Sequence, residues 1–119
     1  MSTPFLEPLK ALVEQGQMTA AGFCNLDGED VAIYPPSNRD AIRQVAAVGG
    51  VALRRLNMAE RLSGRGQLRS ISMRGQDGLA TTHLVSDEYQ LVVIVHDDTP
   101  QSKIAALASE TAATLVELI

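Results

Sequence analysis

The side chains that could do chemistry in this chain are few, and their spacing disfavours catalysis. There are two imidazoles, His83 and His96, and one thiol, Cys24. His96-Asp97-Asp98 offers three metal-binding groups in succession. Adjacent side chains diverge, however, and the run falls where a strand hands over to a helix cap, so no metal site is expected. Ser70, Ser72 or Ser86 could be combined on paper with His83 and an acid, but no nucleophile elbow presents any of them. Gly64-Arg65-Gly66 lacks the third glycine and the preceding strand of a dinucleotide loop, and no GxxxxGK[ST] run occurs. Cys24 lies in an apolar run with no cation next to it, the setting of a small core residue rather than of a reactive thiolate. A non-enzyme without cofactor or metal is the expectation.

Charge is the remaining chemical signal. The net charge of −4 hides two opposed parts. Residues 39–74 hold eight arginines against two acids, a net +6, while the rest of the chain holds two lysines against twelve acids, a net −10. Arginine pairs bidentately with carboxylates and phosphates, so the middle segment reads either as a surface for an acidic partner or as a solvated helix face balanced by acids elsewhere in the fold.

Length and composition narrow the classes. At 119 residues, 45% hydrophobic and 20% charged, the chain reads as a single globular domain over residues 1–119. One cysteine precludes an intramolecular disulfide, and a reducing cytoplasm is expected. The first residues carry no basic run before an apolar core, and no stretch approaches the roughly 20 apolar residues of a membrane span. With only four aromatic residues, a base-stacking platform for nucleic acid is poorly supplied.

The elements that must position these groups follow from periodicity. Phe5, Leu9, Leu12 and Val13 recur at helical spacing, predicting a short helix over residues 4–15 that stops near Gly16. Residues 20–26 and 30–34 are apolar runs around Asp27-Gly28, a hairpin turn signal. Pro35-Pro36 ends the second strand. Residues 39–62 then keep helical period without proline for about six turns, roughly 35 Å. On that helix Ile42, Val45, Ala46, Gly49, Leu53 and Leu56 cluster on one side, and Ala41, Val48, Ala52 and Ala59 widen the apolar arc. Arg43, Arg54 and Arg61 fall together on the opposite side. Gly49-Gly50 in mid-helix costs about 1 kcal/mol per glycine relative to alanine, which suggests that another backbone comes close there. A crossing with a second helix explains it; a kink or a tight fit against the chain's own sheet are the alternatives.

Three further strands are predicted over residues 67–74, 79–85 and 90–95. The first is polar like an edge strand, and the last is apolar at five successive positions like a central one. Pro100 at the first helical position, capped by Asp98 or Thr99, opens a final helix with a stripe of Ile104, Leu107, Ala108, Thr111, Leu115 and Leu118. The order α-β-β-α-β-β-β-α gives an α/β/α sandwich. Its five-stranded antiparallel sheet carries the long helix on one face and the N- and C-terminal helices on the other. Such a helix beside a polar edge strand leaves apolar surface that dimerisation would cover.

This pattern resembles the roadblock (dynein light-chain roadblock-type) family, including its bacterial MglB-like regulators. The likeness rests on four features: the hairpin at Cys24-Asn25-Leu26-Asp27-Gly28 with Val31-Ala32-Ile33 after it; the small-residue-rich helix closing with Leu56-Asn57-Met58-Ala59-Glu60-Arg61-Leu62; the turn Arg74-Gly75-Gln76-Asp77-Gly78; and Tyr89-Gln90-Leu91-Val92-Val93-Ile94 before the last helix. The resemblance implies a homodimer in which long helices pack antiparallel and edge strands join. It also implies a non-enzymatic regulator or scaffold for a small Ras-like GTPase, as in cell-polarity signalling. Carried onto this chain, the implied dimer contacts are Ile42, Val45, Ala46, Gly49, Leu53, Leu56, Arg69, Ile71 and Met73, and the implied partner contacts are Arg43, Arg54 and Arg61. A dimeric adaptor without a GTPase and a small-molecule-sensing module are the alternatives.

Overall fold

In a computed structural model, which describes residues 3–64, 66–76, 78–96 and 98–119 and the side chains among them other than those of residues 60–63, the elements run α1 (Leu6–Gly16), β1 (Ala20–Asn25), β2 (Asp30–Tyr34), α2 (Arg39–Ser63), β3 (Ser70–Arg74), β4 (Leu79–Leu84), β5 (Tyr89–Val95) and α3 (Gln101–Leu118). The five strands form one antiparallel sheet in the order β2-β1-β5-β4-β3. The expected α-β-β-α-β-β-β-α sandwich is the fold that forms.

Strand β5 is central, and its apolar run is buried on both faces. Leu91, Val93 and Val95 join Leu9, Leu12, Phe23, Leu79, Ile104, Ala108 and Leu115 in the core beneath α1 and α3. Phe5, Phe23 and Tyr89 pack there with ring centroids 5.0 Å apart in each successive pair, and Tyr34 packs against the same cluster, so all four aromatics serve the core. On the opposite face Val92 joins Ala20, Cys24, Ile33, Ile42 and Ala46 beneath α2. Alternation along β5 therefore divides the interior into two layers.

The first hairpin is closed by side-chain chemistry. Asn25 Oδ1 accepts from the amides of Asp27 at 3.0 Å and Glu29 at 2.9 Å, and Gly28 takes φ +94°, a conformation that glycine tolerates. A bulge between Phe23 and Cys24 shifts the pairing so that Cys24 faces Asp30.

Most boundaries fall within two residues of the sequence expectation, and at two of the departures the contacts give the reason. Strand β3 begins at Ser70 rather than at residue 67, because the backbone before it is engaged elsewhere: Leu68 donates its amide to Asn57 Oδ1 on α2. Pro100 is the cap of α3 and not its first helical residue. Its ψ of 135° is extended, and its carbonyl accepts from Lys103 and Ile104.

Candidate functional site

Which side of α2 meets the sheet decides what remains for a partner. Ile42, Ala46, Gly49, Gly50, Leu53 and Asn57 are buried against the chain's own strands. Ile42, Ala46, Gly49 and Leu53, expected from the resemblance to join two copies, are thus used up within the chain, a correction to the expected interface. The apolar arc of the helix is wide enough for two surfaces, and the half with the two glycines went to the sheet.

The glycine pair has the same explanation. A Cβ on Gly50 would collide with the carbonyl oxygen of Leu26, and one on Gly49 would stand 2.9 Å from Thr82 Cγ2 and 3.1 Å from Gln90 Oε1. The close backbone is the end of β1 and its turn, so the expected helix–helix crossing at Gly49 is replaced by a fit against this sheet.

Beneath the glycines lies a polar connection that sequence reasoning missed. Gln90 is fully buried. Its amide donates to the carbonyls of Asn25 and Ala46, both at 2.9 Å, and its oxygen accepts from the Thr82 hydroxyl at 2.7 Å. Every polar atom of the side chain is engaged, so the burial cost is offset. The sole sequence signal was a glutamine adjoining an apolar run, which says nothing about partners so distant in the chain.

The other half of the α2 arc faces outward. Val48 is 61% exposed and Leu56 46%, with half-buried Val45 and Ala52 between them and exposed Ala41 and Ala59 continuing the stripe, whereas exposed Val51 and Met58 sit three residues before and four after Arg54, beside the arginines. Strand β3 borders it. Ile71 pairs with Thr82 and Met73 with Ala80, which places both side chains on the α2 side of the sheet, half-buried. The outer edge of β3 ends the sheet. Arg69 is exposed just before the strand, and its carbonyl accepts from Leu84 at 2.7 Å. An apolar helix stripe, two apolar strand residues and an open strand edge thus lie together on one side of the domain.

The arginine stripe lies on the other flank of α2, and it is not a bare basic patch. Arg43 Nε meets Asp30 Oδ1 at 3.0 Å, Arg39 Nη2 meets Asp30 Oδ2 at 3.4 Å, and Arg54 Nη1 meets Asp27 Oδ1 at 2.7 Å. The arginine side chains are about half exposed, so each pair contributes little to stability, on the order of 0–1 kcal/mol. The side chain of Arg61 lies outside the described residues, as do Arg65, Asp77 and Asp97.

The groups that could do chemistry are dispersed. Burial pushes the Cys24 thiol up to about 12, with the charge of Asp30 acting in the same direction. Burial also lowers His83 to about 4, and its Nε2 stands 2.8 Å from the Thr81 hydroxyl. His96 is exposed at the far end of β5. Among the described residues no group of three metal-binding side chains is assembled, and no helix is long and apolar enough to cross a membrane.

Sequence comparison finds no match, either to a protein-family profile or to a curated protein. Structural comparison does. MglB of Myxococcus xanthus superposes with a TM-score of 0.84 at 12% identity, over 98% of this chain and 94% of that one. A roadblock/LC7 domain from Streptomyces avermitilis gives 0.78 at 15% identity, covering 92% of each chain. The gliding protein MglB of Thermus thermophilus gives 0.78 at 12% identity, over 99% and 93%. At such identities the likeness is one of fold.

Proposed function

Taking the roadblock fold of MglB-like proteins as the premise, we propose that this chain is a non-enzymatic, homodimeric regulator or scaffold of a small Ras-like GTPase, acting in the cytoplasm. The observation that carries the reading is the outward stripe of Val48 and Leu56, with Val45 and Ala52 between them, beside the open β3 edge. A solitary domain would expose these apolar side chains together, and a self-complementary contact between two copies removes them from water. The interface proposed is therefore Val45, Val48, Ala52 and Leu56 on the helix, with Ile71, Met73 and Arg69 at the strand.

The GTPase rests on the likeness to MglB and on the arginines of α2. Arg43 and Arg54, with Arg61 further along the same stripe, are the proposed partner contacts, and their remaining guanidinium N–H groups suit carboxylates. Ras-like GTPases of the source organism, purified and loaded with GTP or GDP, are titrated against the chain by calorimetry. Nucleotide-dependent binding with a Kd on the order of micromolar supports the reading. Changing Arg43, Arg54 and Arg61 to Glu should abolish it without unfolding the domain. Binding that survives the triple change removes this face from the proposal.

The pairing of the arginine face with the chain's own acids favours a second reading. With Asp27 and Asp30 already on the arginines, a dimeric adaptor for another protein needs no GTPase. Absence of binding to any GTPase in either nucleotide state, with the dimer intact, would select it.

A further inference from the structure

The three ion pairs of the arginine flank run the same way, from the tip of the first hairpin to one stripe of α2. The tip is pressed onto the helix at its smallest point. Gly28 rests over Ala47, where a Cβ would stand 3.1 Å from the Ala47 Cα, and the Leu26 carbonyl approaches Gly50. Arg43 and Arg39 lie one and two turns before Ala47, and Arg54 two turns after it, all on the same flank. The turn that holds the acids is rigid, since Asn25 Oδ1 fixes the amides of Asp27 and Glu29. Asp27 and Asp30 are thus delivered from a preformed loop, at less entropic cost than a flexible acidic segment would incur.

From this geometry we infer that the Asp27–Asp30 turn is an intramolecular competitor for the arginine row of α2, which a partner's carboxylates must displace or share. The row is then selective. A diffuse polyanion meets arginines that are already paired, whereas a partner with well-placed acids can replace Asp27 at Arg54, where both side chains are more than half exposed. The inference rests on the reading of the arginine row as a partner face, but its test uses no GTPase.

The probe is a fluorescein-labelled ten-residue polyglutamate peptide, followed by anisotropy at low salt. Asp27→Asn/Asp30→Asn should bind it roughly two- to fivefold tighter than a charge-matched control, Glu110→Gln/Glu117→Gln on exposed positions of α3. The gain should vanish when Arg39, Arg43 and Arg54 are alanine. Equal affinity of the two double variants, or a gain that survives loss of the arginines, would overturn the inference. Should Asp30→Asn perturb the strand, Asp27→Asn with and without Arg54→Ala carries the same comparison. A peptide gain without binding of any GTPase would count against the GTPase reading and leave the competitor in place.

Discussion

Gln90 and Ala46 are joined by a hydrogen bond of 2.9 Å that crosses from the central strand to the backbone of the long helix. The same side chain reaches Asn25 and Thr82, so one residue ties α2, the first hairpin and β4 to β5. Replacing it by leucine keeps the volume but takes the acceptor from the buried Thr82 hydroxyl and one donor each from the carbonyls of Ala46 and Asn25, the latter still held by the Gly28 amide at 3.1 Å. Gln90→Leu should lower the unfolding free energy by about 2–3 kcal/mol, read from urea midpoints. An unchanged midpoint would mean that the connection contributes nothing.

Helix propensity and packing predict opposite signs at Gly50. Alanine in an exposed helix interior stabilises by about 1 kcal/mol over glycine. At Gly50 the added methyl meets the Leu26 carbonyl oxygen, and overpacking of this kind costs about 1–3 kcal/mol. Gly50→Ala should therefore destabilise, in the same denaturation assay. A gain in stability would contradict the close approach.

The folded state holds His83 near 4, against an ordinary value near 6.5, because burial disfavours its charged form. Between those values the unfolded chain binds more protons, so stability is retained above about 6.5 and lost as pH falls towards 4. The slope approaches 1.4 kcal/mol per pH unit for one proton. Comparison with His83→Gln isolates this residue, and the variant should show the flatter profile over that window.

Cys24 is fully buried, and its thiol is pushed up to about 12. It should resist a thiol reagent at pH 8 in the native protein and react at once in denaturant. Fast native labelling would place it outside the core.

Much of the fold was legible because each element carried its own period. The apolar run of β5 announced a central strand, and Asp27-Gly28 announced the hairpin. The orientation of α2 was not legible. Its arc offers Ile42, Ala46 and Leu53 to one side and Val45, Val48 and Leu56 to the other, and a helical wheel alone cannot assign one side to the sheet. The glycines settle it only once Gln90 and Leu26 are known to lie beneath them. The arginine pairs were equally invisible, because Asp27 and Arg54 are 27 positions apart and meet only through the docking of the turn.

The proposed platform depends on two copies meeting through the outward face of α2 and the β3 edge. Sedimentation equilibrium at low micromolar concentration, on the wild type and on Val48→Glu/Leu56→Glu, tests this most directly. Both positions are exposed in the single chain, so the variant should remain folded by circular dichroism. The account predicts twice the chain mass for the wild type and a folded monomer for the variant. A wild type that sediments as a single chain, or a variant that stays dimeric, would contradict it.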